Sequence, residues 1–285
     1  MVTFLYILIV LASATQSATA KLFNQNCSQS FAFNALKSLT AFIMFALVSV
    51  FGFCFHLPTV LFGFLYGSFL CASMWAGYKA LCLGPMALTS MLVSFSVLIP
   101  LLWGITVGNE MLKTMQYPAF ALLLLAIILT NADKINARKN TQKNYGLWFS
   151  FVGITFVCNG ICSILQKQHQ TLYPEAYGKE FMLFAMLLCS VAFTILALRK
   201  TSFEELNKIK GKRYGILSGL ANGAANFLTL ALAGLENASV LFPIISAGTI
   251  LSSLLCGRIL FREKLKANHY FALAAGISAV VLLKL

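Results

Sequence analysis

Residues 262 to 270 read REKLKANHY and residues 109 to 117 read NEMLKTMQY, with Glu, Leu, Lys and Tyr at matching places. Glu110 and Glu263 are 153 residues apart, as are Tyr117 and Tyr270. Farther upstream, Gly63 and Gly67 return as Gly215 and Gly219 at a spacing of 152. A near-constant offset held over several segments points to an internal duplication.

The surrounding composition says what is duplicated. Of 285 residues, 59% are hydrophobic and 10% charged, whereas soluble domains run at about 45–50% apolar and about 25% charged. This is the composition of a membrane protein. A helix crossing the hydrocarbon layer needs roughly 20 apolar residues, and such segments lie near 2–20, 31–53, 58–78, 85–107, 115–131, 145–166, 180–198, 214–233, 238–260 and 268–284. The longest connections, 132–144, 167–179 and 199–213, are too short to enclose a core of their own.

The repeat unit is therefore five spans, residues 1–140 and 141–285. Five is odd, so the second copy enters the bilayer from the opposite side. The expected fold is an all-α membrane protein of ten transmembrane helices in two inverted five-helix repeats. Many secondary transporters share that layout, with the substrate site near the midplane between halves.

The first span ends in Ala-Thr-Ala before Lys21, as a secretory leader does, but only Met1, Val2 and Thr3 precede its apolar run, so the positive start of a leader is missing. Span six follows the same course of apolar, then small and polar residues, then Lys167. Aligning the two lysines places Ser17 on Ser163, and the expectation is a retained helix.

A formal net charge of +13 does not imply nucleic acid, because the basic residues sit in short loops rather than on a face interleaved with stacking aromatics. Loops after odd-numbered spans, with Arg138, Arg199 and Lys264 among their residues, carry sixteen Lys and Arg. Loops after even spans and the C-terminus carry four, Lys113, Lys167, Lys179 and Lys284. The positive-inside rule then puts both termini outside.

The eight cysteines lie mostly within apolar spans, where Cys acts as a small hydrophobe. Cys158 and Cys162 share a helix but have no His or acidic companion to complete a metal set, so neither metal nor cofactor is expected. An enzyme is not expected either: His56, His169 and His269 fall at span edges, and no Gly-x-Ser-x-Gly is present.

ALCLGPMALTSMLVSFSVLIPLL (80–102) leading into NEMLK, and LENASVLFPIISAGTILSSLLCGRILFREKLKANHYFALAAGISAVVLL (235–283), both resemble EamA-type halves of the drug/metabolite transporter superfamily. In that pattern the fourth span runs into a Glu-containing turn before a glycine-bearing fifth. Lys37, in FNALKSLTAF, also sits where the family often places a basic residue. The resemblance implies ten helices, a central cavity built from spans one to four and six to nine, peripheral spans five and ten, and cytoplasmic termini, the reverse of the charge count. Leu123 stands where span ten has Gly276, which puts the family packing of span five in doubt.

The eight acidic residues, Glu110, Asp133, Glu175, Glu180, Glu204, Glu205, Glu236 and Glu263, all fall in connections or at span ends. A proton antiporter working through a buried carboxylate needs one inside the membrane, so facilitated diffusion or exchange of a small organic solute is expected. Candidate cavity residues are Ser13, Gln16 and Ser17 in span one, Lys37 in span two, Trp75 and Tyr78 in span three, and Ser90 and Ser94 in span four. Asn159 in span six, Asn222 and Asn226 in span eight, and Ser246 and Thr249 in span nine complete the set. Buried amides and hydroxyls in hydrocarbon are costly unless paired or hydrated. Pro100 and Pro243 are hinge candidates, because a proline inside a helix removes a backbone hydrogen bond. The partners expected are a small-molecule solute and the lipid bilayer of the cell membrane, and the chain is expected to be a monomer. The alternative is a polytopic scaffold or receptor that transports nothing.

Overall fold

The computed structural model describes residues 2–26, 30–83, 93, 95–108, 110, 114, 116–136, 145–200, 211–260 and 267–284. Among them every regular element is helical: α1 (Val2–Asn26), α2 (Ser30–Val50), α3 (Leu57–Leu83), α4 (Leu98–Thr106), α5 (Gln116–Asn136), α6 (Tyr145–Leu172), α7 (Gly178–Lys200), α8 (Lys212–Leu235), α9 (Ala238–Leu260) and α10 (Ala267–Lys284), with one 3-10 turn, Phe95–Val97, ahead of α4. Hydrocarbon offers no hydrogen-bond partners, so an apolar chain crossing it must satisfy its backbone internally, as a helix does. Among the described residues α1, α2, α3, α6, α7 and α8 carry stretches long and apolar enough to cross a membrane, while Phe95–Thr106, Gln116–Ala126, Ala238–Ser252 and Tyr270–Leu283 form shorter apolar helical stretches. Over the described residues the chain is all-α, with the long apolar helices of a membrane protein.

Two compact units divide the structure: residues 1–71 with 165–234, and residues 72–164 with 235–285. In the first, α2 packs along α7. Two pairs of glycines set how near its helices come. A Cβ on Gly63 would lie 2.8 Å from the Phe181 carbonyl oxygen, and one on Gly67 would lie 2.8 Å from that of Ala185, both on α7. On α8, a Cβ on Gly215 would lie 2.9 Å from Leu36 Cβ, and one on Gly219 would lie 2.6 Å from the Lys37 carbonyl oxygen, both on α2. Only glycine lets these backbones approach so closely, which is how helices gain dispersion contact in lipid.

In the second unit α5 packs along α10, and α9 packs on α4 and α10. Ala80, Trp148 and Val152 form a buried cluster between α3 and α6. Leu123 is 2% exposed, so its bulk does not keep α5 from packing; the side chain that replaces a glycine is absorbed into the contact. Pro100 is the third residue of α4, which follows directly on the 3-10 turn Phe95–Val97. Pro243 does stand inside α9.

Inserting atoms at a closed contact costs about 1–3 kcal/mol. Gly67→Val is expected to destabilise the purified protein by an amount in that range, seen as a lowered thermal midpoint. Gly153→Ala, where a Cβ meets nothing within 4 Å, should leave it unchanged in the same detergent.

Candidate functional site

In the first unit α3, α6 and α8 place polar side chains on facing stripes. Thr59 and Tyr66 are seven apart on α3, Gln166, His169 and Gln170 fall within one turn of α6, and Asn222 and Asn226 are four apart on α8. Such spacings bring the members of each set to one face of their helix. Tyr66, Gln166, His169 and Gln170 are all at least 95% buried, so each polar atom there needs a partner.

A directed chain supplies them. The Gln166 amide donates to the Tyr66 hydroxyl at 3.2 Å, and that hydroxyl donates to Asn226 Oδ1 at 2.9 Å. Asn226 Nδ2 then donates to Asn222 Oδ1 at 3.2 Å and to the Asn222 carbonyl at 2.8 Å, and Asn222 Nδ2 points to Met186 Sδ at 4.0 Å. Neutral amides and a phenol thus cross three helices with no formal charge. Toward the end of the unit, Lys167 Nζ donates to the Ala233 carbonyl at 3.0 Å.

The connection after α2 is clamped from α7. Lys179 Nζ donates to the carbonyls of Phe51, at 2.8 Å, and Gly52, and Glu180 Oε1 accepts the Cys54 N–H at 3.1 Å. Glu180 is 2% exposed. An acidic residue at the start of a span is buried rather than solvated.

The second unit holds another carboxylate at work. After α4 the chain turns back so that the Glu110 N–H meets the Gly104 carbonyl at 3.0 Å. Glu110 Oε1 accepts the Ala238 N–H at 2.7 Å and Oε2 accepts the Ser239 N–H at 2.8 Å. These are the first residues of α9, whose unsatisfied N–H groups and positive dipole end suit an anion. Gly104 makes room: a Cβ there would be 2.6 Å from Oε2. The Glu of the first repeated phrase is a helix cap.

The candidates from the sequence separate accordingly. Asn222 and Asn226 meet, as their spacing implies. Asn159 accepts the Ser73 hydroxyl at 2.5 Å within the second unit. Trp75 is exposed and stands edge-on to Phe151 at 5.3 Å. Ser13, Gln16 and Lys37 are half-buried on α1 and α2, and Ser246 and Thr249 are half-buried on α9. Ser90, Ser94 and the turn holding Glu263, Lys264 and Lys266 lie outside the described residues, as do the side chains of Ser17 and Tyr78. Tyr66, Gln166, His169, Gln170 and Thr59 were not legible as a group, since their partners lie far away in sequence. The one available signal is the polar stripe Gln166, His169 and Gln170 on an otherwise apolar span.

No family model matches the chain, and no curated protein matches it. Solved structures do. One crystal structure, described only as that of a protein, has a TM-score of 0.74 and 14% identity, covering 97% of this chain and 95% of its own. At that identity the likeness is one of fold, and it spans nearly the whole of both chains.

Leaving a buried partner unsatisfied costs about 1–3 kcal/mol. Tyr66→Phe, which strands Gln166 and Asn226, is expected to lose stability in that range. Asn226→Leu added to it should cost less than its single effect, with a coupling of about 0.5–3 kcal/mol, measured by a double-mutant cycle of unfolding in detergent.

Proposed function

We propose that the protein is an integral membrane transporter of two inverted five-helix repeats, moving a small organic metabolite or drug-like solute by alternating access, through facilitated diffusion or exchange. The observation that carries this reading is a reciprocal contact. Gly63 and Gly67 of α3 pack on α7, and Gly215 and Gly219 of α8, the glycines 152 residues later, pack on α2. Spans three and eight thus meet spans seven and two. Two copies related by a two-fold axis give that exchange of partners, and copies that trade conformations give alternating access.

Further support comes from the make-up of the compact units, each of which draws on both halves of the sequence. The neutral chain of Gln166, Tyr66, Asn226 and Asn222 suits a solute recognised by hydrogen bonds and apolar contact. The lipid bilayer of the cell membrane is the proposed setting. One observation favours the rival reading of a scaffold or receptor: these polar groups satisfy one another, as a purely structural core requires.

Ligand binding to the folded state stabilises it, by about 2.7 kcal/mol at a concentration of 100 Kd. Purified protein screened against a panel of small metabolites is expected to show a raised thermal midpoint with one chemical class. Proteoliposomes should then take up that class, and Asn226→Leu should weaken both effects. Stabilisation without uptake would identify a receptor.

A further inference from the structure

The seam between α3 and α7 continues past its two glycines into a pair of cysteines. Gly63 meets Phe181, Gly67 meets Ala185, and four residues farther along each helix Cys71 meets Cys189. The members of every pair are 118 residues apart. That constant separation means the two helices run side by side in the same sense, and steps of four return to one face at each turn. A Cβ on Gly67 would lie 3.1 Å from the Ala185 Cα. The backbones closed at that point carry the two thiols together one turn later.

The sulfurs are 3.1 Å apart, with the Cys71 thiol directed at Cys189 Sγ. Cys189 Sγ is directed in turn at the Gly67 carbonyl, at 3.5 Å. Both cysteines are free thiols. Bonded sulfurs stand about 2.05 Å apart, so the pair must close by roughly 1 Å, a movement that side-chain rotation can supply. Oxidation strands no buried group, because a helical carbonyl such as that of Gly67 already accepts a backbone N–H, and a thiol is a weak donor. Packing accounts for a small sulfur at a helix seam. It does not require a second sulfur aimed at the first.

Access to the two thiols differs. Cys71 is half-buried, whereas Cys189 is fully buried, so a small uncharged oxidant meets Cys71 first. With hydrogen peroxide the chemistry balances in two steps. The Cys71 sulfur attacks one peroxide oxygen, the O–O bond breaks, and the departing oxygen takes the thiol hydrogen, leaving Cys71 as a sulfenic acid and one water. The Cys189 sulfur then attacks the Cys71 sulfur, the S–O bond breaks as the S–S bond forms, and the departing hydroxyl takes the Cys189 hydrogen as a second water. Each sulfur gives up one electron, and the peroxide gains both. A small dithiol reverses the bond by exchange, becoming a disulfide itself.

We propose that Cys71 and Cys189 form a redox-sensitive bolt, a thiol pair that a peroxide closes to a disulfide and a small dithiol reopens, fixing α3 to α7 along the glycine seam. In a transporter whose halves trade conformations, the closed bolt holds one of them. That consequence rests on the transporter reading, but the bolt itself does not, and it is tested without any solute.

The full chain in lipid nanodiscs is reduced, treated with hydrogen peroxide, digested and mapped by mass spectrometry. A peptide joining Cys71 to Cys189 is expected, and dithiothreitol should return both thiols. The oxidised chain should also melt at a higher temperature than the reduced one, because a cross-link over so long a stretch of chain restricts the unfolded state. Cys189→Ser should leave Cys71 as a sulfenic acid that dimedone traps, and Cys71→Ser should leave Cys189 unmodified at the same peroxide dose. Persistence of both thiols in the unsubstituted protein, pairing of either with a different cysteine, or an oxidised chain that melts no higher would overturn the bolt. Oxidation of Cys189 in Cys71→Ser, or no dimedone adduct at Cys71 in Cys189→Ser, would overturn the order of its two steps.

Discussion

Close approach of helix backbones at glycine is the constraint on which the first unit depends. Lipid tails are as apolar as leucine, so helices in a bilayer gain little by hiding apolar surface from one another. They gain by contact, and contact is greatest where no Cβ intervenes. Gly63 and Gly67 seat α3 on α7, and Gly215 and Gly219 seat α8 on α2. With those two seats closed, the polar stripes of α3, α6 and α8 come within hydrogen-bond reach, and Tyr66 can bridge Gln166 and Asn226.

Polar groups then finish what packing begins. Every buried amide in hydrocarbon must find a partner or destabilise the fold, and here the partners come both from the same helix, as Asn222 does for Asn226, and from other helices, as Tyr66 does for Gln166. The same logic governs the carboxylates. Glu110 meets the open N–H groups of α9, and Glu180 meets the backbone after α2. Both lie outside the apolar middle of the spans, where a charge is least costly, and both hold chain ends in place.

Much of the fold was legible because it follows from composition and period. Apolar stretches of about 20 residues force helices, and the offset of 152 to 153 residues exposes the repeated glycines and the repeated Glu. Asn222 and Asn226 were legible because neighbours on one helix are fixed by spacing alone. Their link to Tyr66 was not, since 160 residues separate Tyr66 from Asn226, and only the packing of α3 and α8 within the unit brings them together. Glu110 was legible as half of an echo, but not as a cap, because its partners are the backbone of Ala238 and Ser239.

The central claim is that the chain consists of two five-span halves of opposite orientation. Cysteines placed singly at Lys113 and Lys266, in a background with the eight native cysteines replaced, can be treated with a membrane-impermeant maleimide on intact cells and again after permeabilisation. Opposite orientation predicts that one position is labelled in intact cells and the other only once the membrane is opened. Labelling of both under the same condition would contradict it.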